Sequence, residues 1–166
     1  MESTRIASPL TMARFPVPLT WDVPPDAAAV PEARRLVVTI LREWGVPLSG
    51  DASGEVELCA GEVIANAVEH TGGRCAASVE WRGERLRVEV ADAGASLARS
   101  TPEEEATNGR GLLLVEALAS AWGWHRQGAG KVVWFEFPIG SVADEWSSPT
   151  HGWGTTKGLH RIGRVA

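Results

Sequence analysis

Residues 62–67, Glu62-Val63-Ile64-Ala65-Asn66-Ala67, put a carboxylate and a carboxamide four positions apart inside a stretch that otherwise reads as a buried helix. Side chains at i and i+4 share a helical face. Val56, Cys59, Ala60, Val63 and Ala67 recur at helical spacing as an apolar stripe. Glu62 and Asn66 project from the edge of that stripe, about a quarter-turn away at ~100° per residue. A solvated Glu and Asn at this spacing make an ordinary surface pair. At the border of a buried stripe they also suit a metal nucleotide, with Asn66 giving a neutral oxygen to Mg²⁺ and Glu62 orienting an attacking hydroxyl or water.

Outward from this helix the chain alternates helices with strand pairs. Pro31 opens a predicted helix whose apolar positions are Ala33, Leu36, Val37, Ile40, Leu41 and Trp44, and Gly45 and Pro47 stop it. The stretch Gly50-Asp51-Ala52-Ser53 reads as a loop into the Glu62 helix, which is expected to end near Thr71-Gly72-Gly73. Cys75, Ala77, Val79 and Trp81, then Leu86, Val88 and Val90, alternate strictly around Arg82-Gly83-Glu84-Arg85, a β-hairpin with one buried face. Residues 93–108 lose all periodicity, and a connection of that length is functional or disordered. Glu103-Glu104-Glu105 within it reads as a solvated run. Leu112, Val115, Leu118, Ala119 and Trp122 predict a third helix. Residues 123–127 and 131–137 predict two strands around Gly128-Ala129-Gly130. The fold class is α+β: a two-layer sandwich with helices on one face of a mainly antiparallel sheet.

Composition narrows the function classes. The 166 residues, 44% of them hydrophobic, suffice for one core, so residues 1–137 read as a single domain with its core in 33–137. Residues 138–166, rich in Gly, Ser, Thr and His, read as a disordered tail. Up to residue 137 the chain carries 13 Lys/Arg against 19 Asp/Glu, an acidic body that argues against nonspecific nucleic-acid binding. Cys59 and Cys75 sit at apolar-patterned positions and read as buried thiols. The four histidines lack metal-ligand spacing. His70, one turn past Asn66, either faces the same pocket or, as a helix C-terminal histidine, interacts with free carbonyls, and the second reading is preferred. Trp44, Trp81, Trp122 and Trp134 fit packing positions. No run reaches the ~18 apolar residues of a membrane span, and the first residues lack a hydrophobic signal core, so a cytoplasmic location is expected.

Two further segments point toward a nucleotide. Asp92 ends a strand just before Ala93-Gly94, where a backbone without a Cβ can turn tightly or approach a planar ligand. Its carboxylate either caps a turn or accepts the exocyclic amino proton of adenine, a position where guanine presents a carbonyl. Asn108-Gly109-Arg110-Gly111 stands directly before the third helix. It is either a flexible hinge or an anion site made by free N–H groups and the positive helix end. The chain has no Gly-x-x-x-x-Gly-Lys-Ser/Thr, and Leu114 replaces the third glycine of a dinucleotide fingerprint.

In that order and spacing, Glu62-x-x-x-Asn66, Asp92-x-Gly94, Gly109-Arg110-Gly111-Leu112 and Gly128-Ala129-Gly130-Lys131 resemble the boxes of the GHKL ATPases. The compact size, without a phosphoacceptor helical domain, resembles the anti-sigma-factor serine kinases of bacteria, the RsbW and SpoIIAB type. The resemblance implies a Bergerat-fold sandwich binding ATP and Mg²⁺ beneath a mobile lid, here residues 93–109. It implies Asn66 as the Mg²⁺ ligand, Glu62 as catalytic base and Asp92 as adenine reader. Gly94, Gly109, Gly111 and Leu112 would shape pocket and lid, and Arg110 would touch the γ-phosphate or a partner. The implied activity is transfer of the γ-phosphate to Ser/Thr of an antagonist protein. The implied partners are a sigma factor or its anti-anti-sigma antagonist, in transcription regulation, with homodimerisation possible. Two alternatives stand beside it: a nucleotide-dependent sequestering switch without kinase activity, and a free-standing histidine-kinase-type catalytic domain. The sequence departs from the family pattern in two places. No second glycine follows two residues after Gly94, and Val132 stands where a Thr often follows the last glycine segment, which bears on the adenine pocket and lid.

Overall fold

The computed structural model describes residues 15–71, 73–92 and 111–140. Its elements run β1 (Leu19–Val23), a 3-10 turn (Ala27–Ala29), α1 (Val30–Glu43), α2 (Gly50–Thr71), β2 (Cys75–Arg82), β3 (Arg85–Asp92), α3 (Gly111–Leu118), β4 (Ala121–Gln127) and β5 (Gly130–Pro138). The strands form one antiparallel sheet in the order β1-β2-β3-β5-β4. α2 lies against β2, β3 and β5 and also packs on α1 and α3. The fold is the expected α+β sandwich.

Period-two alternation explains the layering. Across the sheet Ala77 pairs with Val90, and Val79 with Val88, while Val88 pairs with Phe135 and Val90 with Val133. Opposed residues share a face, so these side chains form one apolar wall, and all of them are buried. Val56, Cys59, Ala60, Val63, Ile64 and Ala67 of α2 complete the core against it. The opposite face carries charge. Glu136 is 8% exposed and accepts from the Nη1 groups of Arg85 and Arg87, each at 3.0 Å. The Arg87 guanidinium stacks 4.1 Å from the Trp134 ring centroid. Trp134 in turn lies over Gly123, where a Cβ would come within 2.8 Å of the indole. A buried carboxylate with two guanidinium partners is satisfied rather than stranded.

Two helix boundaries and one strand differ from the sequence-based expectation. α2 begins at Gly50, not after Ser53, because Ser49 caps it: its Oγ accepts from the N–H of Ala52 at 3.1 Å, and its carbonyl from Ser53 at 2.9 Å. α3 stops at Leu118, so Trp122 belongs to a strand. The N–H and Oγ of Ser120 both donate to the carbonyl of Glu136, at 2.9 and 2.8 Å, and this draws the chain into β4, where Trp122 opposes Phe135. β1 was hidden among prolines: Pro18 precedes it and Pro24-Pro25 follow, positions an edge strand tolerates. At the far end Ile139, one residue beyond the end of β5, is 4% exposed in the core, and its N–H donates to Glu84 O at 2.8 Å. Residues 141–166 and the side chain of His70 lie outside the described residues. No helix among the described residues is long and apolar enough to cross a membrane.

Both cysteines are free and buried. Burial, reinforced by the charges of Glu55 and then Glu62, pushes the Cys59 thiol from 9.0 up to about 12. The folded protein therefore retains a proton that the unfolded chain releases. That contribution to stability is full below about pH 9 and is lost as the pH climbs toward 12. Cys59→Ala should lose less thermal stability between pH 8.5 and pH 11 than the native chain, measured as the slope of melting temperature against pH. Parallel slopes would show that Cys59 does not carry the alkaline sensitivity.

Candidate functional site

α2, the rim of β3–β5 and the start of α3 meet at one small cavity. Its apolar walls are Val63, Ala67, Val90 and Val133, and Leu112 closes the α3 side. Asn66, Asp92 and Lys131 supply the polar lining. Asn66 reaches the cavity because α2 turns its apolar stripe to the sheet, which leaves the stripe's edge facing the sheet rim. Val63 and Ala67 are buried while Asn66 is half-buried.

Asp92 is held by β5. Its Oδ1 accepts the backbone N–H of Lys131 at 3.0 Å, across a sequence gap of 39 residues. The neighbouring Gly130 makes this possible. A Cβ there would overlap the Asp92 backbone carbonyl and stand 2.6 Å from Oδ1. Real Cβ atoms do not come that close to backbone, so only glycine lets the strands approach. This carboxylate bond crosses to the neighbouring strand, and the residues of the turn that Asp92 could cap lie outside the described residues.

Glu62 sits one helical turn before Asn66 on α2, but it does not line the cavity. Its carboxylate packs against Gly111, the first residue of α3, where a Cβ would overlap Oε2 and stand 3.4 Å from Cδ. An acidic group at a helix N-terminus meets the positive end of the dipole. This places negative charge at the helix end where the sequence suggests a docking anion. Leu112, the next residue, is 2% exposed and anchors α3 in the core.

Of the residues singled out by sequence, Asn66, Asp92 and Leu112 share the cavity, and Glu62 meets Gly111 beside it. Gly94, Gly109, Arg110 and the lid over residues 93–109 lie outside the described residues. Gly130 and Lys131, which the sequence places in a family box without a site role, join the site. Val132 is the position that departs from the family pattern, yet the register pairs Val132 with Ala91 and His125, on the face opposite the core wall. Val132 is buried but does not belong to the core cluster. The absent Thr at that position therefore leaves the cavity untouched. Counting in steps of two from Phe135 and Val133 to Lys131 would have found the right residue.

Among the described residues no three His, Cys, Asp or Glu side chains gather as a metal site. A single neutral oxygen from Asn66 fits a Mg²⁺ ion that arrives with phosphates, because that ion keeps most of its ligands as water and phosphate oxygen. A family model described as Histidine kinase-like ATPase domain matches residues 23–137, well over half of the chain. A search of curated proteins returned no match.

The two glycine contacts predict different outcomes. Gly130→Ala drives a Cβ into backbone, so it should cost about 2 kcal/mol or more of stability and remove nucleotide binding. Gly111→Ala meets only the end of a flexible side chain, so its melting temperature should stay within about 3 °C of native. Thermal melts of both variants decide this, and equal destabilisation would refute the distinction.

Proposed function

The chain belongs to the histidine kinase-like ATPase domain family, and from that premise we propose that it binds Mg-ATP and transfers the γ-phosphate to a Ser or Thr hydroxyl of a partner protein. The partner is an anti-anti-sigma antagonist, with a sigma factor as the regulated target. The observation that carries the reading is the convergence of Asn66 and Asp92 on one cavity, with the Glu62 carboxylate one turn away beside the first residue of α3.

In this reading Asp92 accepts the amino group of adenine, oriented by the N–H of Lys131. Asn66 offers its side-chain oxygen to Mg²⁺, and bound Mg²⁺ supplies charge neutralisation on the phosphates. Glu62 accepts the proton of the attacking hydroxyl, which requires its carboxylate to turn from Gly111 toward the phosphate end. A homodimer is compatible with this scheme and is not required by it.

A second reading has an observation of its own. Glu62 packs on Gly111 and is absent from the cavity lining, as expected of a switch that binds nucleotide and sequesters a partner without transfer. Such a protein needs Asn66 and Asp92 but not Glu62.

Glu62→Gln separates the two. Transfer of labelled phosphate to antagonist candidates should fall by at least about 100-fold, while ATP affinity stays within about twofold. Undiminished transfer would remove Glu62 from the chemistry, and no transfer by the native chain would favour the switch. Asn66→Ala should abolish the Mg²⁺-dependent part of ATP affinity in either reading. Acid-labile rather than acid-stable phosphate on the partner would identify a histidine-kinase type of chemistry.

A further inference from the structure

Among the described residues, Lys131 is the one cation lining the cavity that holds Asn66 and Asp92. It lies on β5 in phase with Val133 and Phe135, whose side chains form the core wall, so its own side chain leaves the sheet on the helix side. Its backbone N–H orients Asp92 Oδ1 at 3.0 Å. One residue thus supplies the bond that aims the carboxylate and an ammonium on the same face of the sheet.

We propose that Lys131 is a second base-reading residue, its ammonium donating to a ring nitrogen of adenine while Asp92 accepts from the amino group. This rests on the nucleotide reading above. Adenine presents an N–H donor flanked by ring-nitrogen acceptors, and a carboxylate answers only the donor. An ammonium has three donors and no acceptor, so it supplies the missing half of the match. The phosphates are expected at the α3 end, beside Gly111 and Asn66, whereas Lys131 belongs to the β3–β5 rim with Asp92. The pairing also bears on specificity. An acceptor beside a donor matches the edge of adenine and penalises a base that leaves either group unanswered.

The test is a titration of the full chain and of Lys131→Met with ATP and with adenosine, the latter by displacement of a fluorescent ATP analogue. The substitution keeps the backbone N–H and with it the Asp92 bond. Loss of a charged donor to the base should weaken ATP and adenosine by the same factor, about tenfold or more. Lys131→Gln, a milder change, should weaken both ligands in the same ratio and serves if Lys131→Met does not fold. Unchanged affinities would overturn the inference, as would weakened ATP with unaltered adenosine, which would assign the ammonium to phosphate. Failure of the native chain to bind either ligand would instead sink the nucleotide reading, and this inference with it.

Discussion

The close approach of β5 to the end of β3 is the constraint on which the site depends. Gly130 lets the backbone of β5 pass against the carbonyl and carboxylate of Asp92, and the next N–H along the strand takes the carboxylate as its partner. That contact holds a part-buried polar group at the rim of an apolar wall. The same pairing extends along the sheet through Val88 opposite Phe135 and Leu86 opposite Phe137, so the core and the site share one register. A slip of one residue would send Phe135 outward and Trp134 inward, and would move Lys131 away from the cavity.

α2 is the second half of the construction. Its buried stripe docks on the sheet, and the edge of that stripe carries Asn66 to the cavity and Glu62 to α3. The contact of Glu62 with Gly111 ties this carboxylate to the first residue of α3. A carboxylate there is favoured by the helix dipole and opposes a second anion at the same place. The charge of Glu62 also reaches inward, where it adds to the burial that keeps Cys59 protonated. In the proposed mechanism, catalytic use of Glu62 and entry of phosphate would be coupled through this one side chain.

Much of this was legible before any coordinates. Strict alternation in residues 75–90 and the helical spacing of Val56, Cys59, Ala60, Val63 and Ala67 are direct signs of half-buried strands and an amphipathic helix, and the α+β layering follows from them. β1 was not legible, because five residues between prolines carry too little pattern to be told from a turn-rich segment. The end of α3 was not legible either. Leu118, Ala119 and Trp122 continue a helical period, and only the pairing of Ser120 with Glu136, sixteen residues on, breaks it. Lys131 stands in a recognised box without a site role for a related reason: the side a strand residue faces depends on register, and register is a property of two strands.

The sequence by itself determined the residue types available for chemistry, their order along the chain, and the family to which the chain belongs, because local periodicity and ordered glycine, Asn and Asp boxes are encoded over short distances. Tertiary structure alone decided which of those residues meet. Asp92 finds the Lys131 N–H, Glu62 finds Gly111, and Val132 turns away while Lys131 turns in. Each outcome depends on a distance of closest approach between elements tens of residues apart. Such distances are set by packing, by the presence or absence of a single Cβ, and by sheet register, none of which any one segment contains.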